Sequence, residues 1–121
     1  MLIVVSNDVS PQESTEKWQN LKDKLPPYIY DDTGALKEWA TTTFEENNEH
    51  RHLSHLYVAW PLFETQNNSG LKKASLQAIA NRTSENEASH ALVHRSLIAA
   101  RLKDSETVSY THLTLPTTER V

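Results

Sequence analysis

The chemistry-bearing side chains of this sequence concentrate in residues 47–57, Asn-Asn-Glu-His-Arg-His-Leu-Ser-His-Leu-Tyr. Three imidazoles (His50, His52, His55), the Arg51 guanidinium, the Glu49 carboxylate and two amides fall together there. Guanidinium donates only, whereas a neutral imidazole both donates and accepts, so the cluster suits hydroxyl-rich or anionic ligands. It stands at the entrance of a short predicted helix, whose first backbone N–H groups would add donors. Three readings compete. His52 and His55 can be satisfied loop or core histidines bonded to backbone carbonyls; two of the histidines three apart can hold a metal; or the cluster binds a polar ligand. The metal reading lacks a ligand pattern such as H-E-x-x-H and sets the Arg51 charge against a cation.

Composition bounds the partners. The 121 residues carry a formal charge of -4, and the twelve Lys and Arg are scattered along the chain. That excludes a basic footprint for nucleic acid. No cysteine is present, which removes disulfides, thiolate metal sites and a cysteine nucleophile. No apolar run is long enough to span a bilayer, and the start at Met1 has neither a basic segment nor a small-residue cleavage site, so no membrane partner and a soluble protein are expected. The length permits one small domain. Hydrophobic residues make up only 37%, many of them alanine, and mean hydropathy is -0.62, so the core such a chain could build alone is thin.

The elements that must position the cluster are helical. Ser10, Pro11 and Glu13 spell a serine cap, a proline at the first helical position and a capping box, with Trp18, Leu21 and Leu25 following at helical spacing. Pro26 and Pro27 end that helix, which spans about 11–24. Residues 28–49 carry turn residues around short apolar stretches and predict a long irregular connection. Leu53, Leu56, Tyr57 and Trp60 give a short apolar helix face before Pro61. A further helix runs from near Ser69 to Asn81 or Arg82, with Leu71, Ala74, Ala78 and Ile79 in one stripe. Ser84 and Glu87 spell another capping box, opening a helix over 88–102 that is apolar on most sides, which calls for neighbours on several sides. Leu2 to Val5 is the one strand-like run. His90 and His94 are four apart on the last helix and face the same way.

Taken over a wider window, the succession Leu25-Pro-Pro-Tyr28, Gly34-Ala-Leu-Lys-Glu-Trp39, Glu46-Asn-Asn-Glu-His-Arg-His-Leu-Ser-His-Leu-Tyr57 and Trp60-Pro61 resembles glycoside hydrolase family 95 in both order and spacing. This is the family of α-L-fucosidases and α-L-galactosidases, with bacterial members. The resemblance runs through the alanine-rich helix to Ala88-Ser-His90 and Ala99-Ala-Arg-Leu102, and covers about residues 12–104. It implies an all-α fold, part of an (α/α)6 toroid, with a long irregular loop between the first and second helices. It also implies an oligosaccharide substrate bearing L-fucose or a related sugar, no cofactor, no metal, and a parent enzyme that works in the periplasm or outside the cell.

Carried over position by position, the resemblance makes His50, Arg51, His52 and His55 residues of the sugar pocket, with His52 the first choice for a direct contact to a sugar hydroxyl and Arg51 the second. Glu38 and Trp39 join the pocket wall, the indole packing on the apolar face of a pyranose. Their alternative reading is a loop carboxylate and a buried anchor. His90 falls where relatives have a Gly-Trp-Ser-type stretch, which favours packing over binding. Members of the family invert, and inversion needs two carboxyl functions separated by a water. The family's general acid precedes the Leu-Pro-Pro-Tyr segment, and its catalytic aspartate lies in an Ile-Asp-Gly-Asn-Phe-Gly stretch beyond the Ala-Arg-Leu helix. Neither stretch occurs in these 121 residues, so no catalytic residue is assigned. Glu38, Glu45, Glu46 and Glu49 form a charge-rich loop, and such loops are ordinarily solvated rather than catalytic.

The expected organisation is a catalytic-domain fragment over 1–106 and a tail over 107–121. The tail run from Ser109 to Val121 has neither helical nor strand periodicity and resembles translated sequencing-adapter read-through. Two rival readings are a helical protein-interaction module and a small histidine-rich metal-binding domain, the first weakened because the helix pairs share no sequence repeat.

Overall fold

The computed structural model describes residues 12–82, 89–105 and 107–109. Three α-helices, α1 (Gln12–Asp23), α2 (Ser69–Asn81) and α3 (Ser89–Leu102), are joined through two 3₁₀ helices at Ser54–Val58 and Glu64–Gln66. The described residues contain no strand, only an isolated antiparallel bridge between Tyr30 and Leu36. The Leu2 to Val5 run, the Ser10 cap, the Ser84 and Glu87 capping box and the tail from 110 lie outside the described residues.

The chain's best-defined helix is α2, for local reasons. Asn68 takes an extended backbone and its Oδ1 accepts from the Leu71 N–H at 3.0 Å, satisfying one of the orphan donors of the first turn. Leu71, Ala74, Ala78 and Ile79 are all buried, which is the stripe predicted from spacing. They meet Ile98, Ala99 and Leu102 of α3 together with Leu53, Leu56, Val58 and Ala59 in a single core. Arg95 reinforces the α2–α3 contact: its guanidinium donates to the carbonyls of Ile79 (3.1 Å) and Arg82 (3.4 Å), which the end of a helix leaves exposed.

The segment 53–60 departs from the expected α-helix. Leu56 N–H bonds to Leu53 and Ala59 N–H to Leu56, an i to i+3 ladder. Leu53, Leu56 and Ala59, three apart, are all buried, while Tyr57 is half exposed. The 3₁₀ period of three therefore wins over the α period of 3.6, in a run with no side-chain cap and with a proline, joined by a cis Trp60–Pro61 bond, just beyond it.

The long connection between α1 and the 3₁₀ helix is irregular, as expected, yet anchored. Asp31 Oδ1 accepts from the Thr33 N–H (2.9 Å), the Thr33 hydroxyl (2.7 Å) and the Ala35 N–H (3.0 Å), an Asx turn that Gly34 completes at φ 82°. Although partial burial works against it, those hydrogen bonds and the Lys37 charge hold the Asp31 carboxyl below its usual range. The turn presses Ala35 and Leu36 into the core, and Leu36 N–H reaches the Ala74 carbonyl of α2 at 3.1 Å. Asn81 adds a bond to the Thr33 hydroxyl at 2.8 Å.

Burial elsewhere is one-sided. Trp18, Leu21 and Leu25 of the first helical stretch are exposed, as are Val93 and Leu97 on α3, so the neighbours demanded by the apolar pattern of α3 cover only one of its sides. After α3, Lys103 adopts a left-handed φ of 62° and Asp104 N–H bonds to Ala99, the backbone pattern of a Schellman stop. Asp104 Oδ1 then accepts from Thr107 N–H, and Val108, a residue assigned to the tail, packs against the core.

Leu56→Ala removes a fully buried side chain at the centre of the core and is expected to cost about 2 to 5 kcal/mol. Val93→Ala, on the open side of α3, should change stability by less than about 0.5 kcal/mol. Urea unfolding followed by circular dichroism compares the two; equal effects would refute this assignment of the core.

Candidate functional site

The six residues predicted for the site separate into two groups. Glu38, Trp39 and His55 line a cleft of about 360 Å³ with Leu25, Pro26, Pro27 and Ile29 on its apolar side. His50 and His52 turn away from it toward α3. Arg51 is exposed and does not line the cleft.

The cleft owes its shape to the proline pair. Pro26 and Pro27 terminate α1 and send the chain across as an extended wall, placing Tyr28 opposite the loop that carries Glu38 and Trp39. Trp39 is about half exposed, with its ring tilted on Phe44 at 5.3 Å between centroids, so it is available as a stacking face and is not the buried anchor of the alternative reading. Glu38 is held at both ends: its backbone N–H donates to Glu46 Oε2 at 2.9 Å, and its Oε2 pairs with Arg82 at 3.3 Å. Glu46 in turn pairs with Lys37 at 3.3 Å, and Lys37 also caps the Phe44 carbonyl. Glu38 and Glu46 are thus both engaged as partners of cations.

His55 sits deep in the cleft wall. Burial, assisted by the Arg82 charge and opposed by Glu38, pushes its imidazole down to about 4. Its Nδ1 is buried and has no hydrogen-bond partner among the described residues. At neutral pH this is an uncharged ring able to accept a proton from, or donate one to, a ligand hydroxyl.

Two further polar residues of the cleft escaped the sequence reading. Tyr28 donates its phenol hydrogen to Glu64, and both side chains line the cleft. Burial, followed by the hydrogen bond and charge of Glu64, drives the Tyr28 hydroxyl well above its ordinary value. Tyr28 belongs to the quoted Leu-Pro-Pro-Tyr run, so a signal existed for it. Glu64 sits in a 3₁₀ turn with no motif around it.

The second group is a string of imidazoles. His50 Nδ1 accepts from the His52 backbone N–H at 3.1 Å, and the His50 and His52 rings are 5.1 Å apart. His52 meets His90 edge-on at 6.1 Å, and His90 lies 6.3 Å from His94. His94 is buried edge-on between Tyr57 (5.3 Å) and Trp60 (5.7 Å). Burial lowers the His94 imidazole, the nearby His90 and His52 lower it further, and a hydrogen bond to the Trp60 backbone partly offsets both. The predicted i, i+4 alignment of His90 and His94 is therefore real, and its product is packing of α3 on the loop. His52 and His55, the pair on which a metal site would rest, face different surroundings. Among the described residues no group of three or more His, Asp or Glu is placed to hold a metal ion, and no helix is long and apolar enough to cross a membrane.

The long loop and the proline-terminated helix thus enclose a polar cleft with an aromatic wall on a helical scaffold. The sequence matches the glycosyl hydrolase family 95 catalytic domain over residues 4–119, and the chain belongs to that family. It is part of a glycoside hydrolase catalytic domain, and its α-helices are a portion of the family's (α/α)6 toroid. No curated protein matches the chain.

His55 fixes a pH dependence. Its folded value lies below its unfolded value of 6.5, so the unfolded chain binds the proton more readily and stability falls as pH drops. The contribution is complete above about pH 7 and is lost between about pH 6.5 and 4, amounting to roughly 3 kcal/mol. His94 shifts in the same direction. Thermal melts of the chain from pH 7.5 to 4 should show a steep fall below pH 6.5 that His55→Phe flattens; a melt independent of pH over that window refutes the buried neutral ring.

Proposed function

We propose that this chain supplies part of the sugar-binding wall of an inverting α-L-fucosidase-like hydrolase and does not itself hydrolyse a glycoside. The observation that carries this reading is the convergence of the adjacent Glu38 and Trp39 with His55, distant in sequence, on one cleft. About 360 Å³ is within the range of small-ligand sites. The lining suits a 6-deoxyhexose: Leu25, Pro26, Pro27 and Ile29 offer an apolar surface to the methyl group and the hydrophobic ring face, while Trp39 can stack. Glu38, His55, Tyr28 and Glu64 supply donors and acceptors for ring hydroxyls.

His50, Arg51 and His52 belong to the same reading as the rim of the site, on the stretch that leads into His55. None of the three lines the cleft, so in this reading His52, and after it Arg51, meets a hydroxyl of a sugar unit that extends beyond the cleft toward α3.

The carboxylates present do not form an acid and base pair. Glu38 is neutralised by Arg82 and Glu64 accepts from Tyr28, so both are engaged in holding the wall. Inverting hydrolysis requires one protonated and one ionised carboxyl group on opposite sides of the bond, with space for water. The stretches that carry those groups in the family do not occur among the 121 residues. The open sides of α1 and α3 further imply marginal stability for the chain alone.

The purified chain should show no turnover of an aryl α-L-fucoside, while L-fucose should shift the Trp39 indole resonance in NMR and D-glucose should not. Glu38→Ala, which changes the cleft wall and keeps the indole, should abolish the shift. Turnover together with a clean, cooperative thermal melt would overturn the reading of an inactive portion; absence of any L-fucose response would overturn the pocket.

A further inference from the structure

Arg82 was anticipated only as the end of a helix, yet its side chain is 2% exposed and occupies the junction of three segments. It is the C-cap of α2, with an extended backbone that turns its side chain away from the helix axis. One guanidinium nitrogen donates to the backbone carbonyls of Asn47 and His50, the latter at 3.1 Å, and the other to Glu38 Oε2 at 3.3 Å. Arg95 of α3 donates to the Arg82 carbonyl, so the residue is clamped from behind. A buried guanidinium needs its charge paired and its N–H groups used; both terminal nitrogens of Arg82 are engaged, while its buried Nε has no partner among the described residues. Here the acceptors are the candidate pocket carboxylate and the two backbone oxygens that bracket the start of the histidine segment.

We propose that Arg82 is a positioning residue of the sugar site: its forked guanidinium fixes Glu38 in the cleft wall and steers the 47–50 backbone so that His55 enters the same cleft. This rests on the reading of that cleft as the sugar site. The role suits arginine and not lysine, because one planar fork must serve a carboxylate and two carbonyls in fixed directions. Glu38 and His55 are seventeen positions apart in sequence and share no element. The carbonyl bonds of Arg82 and its ion pair are what tie the two loop segments to one point at the end of α2.

The electrostatic consequence makes the role measurable. The charged and titratable groups around His55 are Arg82 from the end of α2, Glu38 and Lys37 from the loop, Lys22 from α1, Tyr28 from the extended wall and Glu64 from the second 3₁₀ helix. Arg82 opposes protonation of His55 and Glu38 favours it. Removing one or the other should therefore move the imidazole in opposite directions, whereas general loosening would return it toward its ordinary value in both.

The test is titration of the histidine side chains by nitrogen-15 NMR on the full chain, without ligand. In the unsubstituted chain His55 should protonate at about 4. Arg82→Gln should raise its proton affinity by about tenfold, one pH unit. Arg82→Lys, which restores charge without the fork, should return most of that shift but leave the His50 backbone amide displaced from its position in the unsubstituted chain. Glu38→Gln, which leaves the cation in place and provides the check should Arg82→Gln fail to fold, should lower the proton affinity of His55 further. An unmoved His55 in folded Arg82→Gln, or a rise in Glu38→Gln, overturns the proposal. L-fucose binding, read separately at Trp39, distinguishes the two readings. No binding by the unsubstituted chain removes the sugar assignment, and with it a sugar role for Arg82, whatever the titration shows. Binding with His55 unmoved in Arg82→Gln removes the role of Arg82 alone.

Discussion

A guanidinium buried at the end of a helix imposes strict conditions on everything around it. A full charge and its N–H groups leave water, and the loss is offset by acceptors brought to them in the right plane; here these serve the two terminal nitrogens of Arg82 and not Nε. In this chain the acceptors come from a loop that has little secondary structure of its own: the carbonyls of Asn47 and His50 and the carboxylate of Glu38. The loop is therefore ordered by the needs of Arg82 as much as by its own turns. Arg95 continues the pattern one layer out, spending its N–H groups on the carbonyls of Ile79 and Arg82 and joining α3 to the same point. Arg101, stacked over Phe63 at 3.9 Å and bonded to the Leu62 carbonyl, does the corresponding work at the other end of α3. Three arginines thus hold together a framework whose apolar core is small and alanine-rich.

The helices were legible because their signals are local. The stripe of Leu71, Ala74, Ala78 and Ile79 and the bounds of α2 follow from period and capping, and the C-terminal ends of α1 and α3 lie within one residue of expectation. The segment 53–60 shows where such reasoning stops. Leu53, Leu56, Tyr57 and Trp60 fit an α face, while Leu53, Leu56 and Ala59 fit a 3₁₀ face, and only the hydrogen bonds decide between them. The site was legible as a neighbourhood but not as a geometry. Spacing placed three histidines together, yet could not tell that His55 turns inward to Glu38 and Trp39 while His52 turns toward His90, because that choice depends on contacts from α2 and α3. Arg82 and Glu64 carried no motif at all; their importance comes from what the fold brings to them.

The two faces of the histidine segment have different physical characters. On one side is a cleft with an apolar wall, an accessible indole and a ring kept neutral by burial. On the other is a row of four imidazoles running from the loop onto α3. The imidazole row sets the loop against α3, with His94 held between Tyr57 and Trp60.

The contact between Trp60 and His94 has an optical side. A neutral imidazole at 5.7 Å, edge-on to a half-buried indole, leaves its fluorescence largely intact, whereas an imidazolium accepts an electron from the excited ring and quenches it. Among the described residues Trp18 and Trp39 make no ring contact with a histidine. The protein therefore contains a built-in emission reporter, at one of its three tryptophans, for the protonation of the α3 histidine that holds helix and loop together.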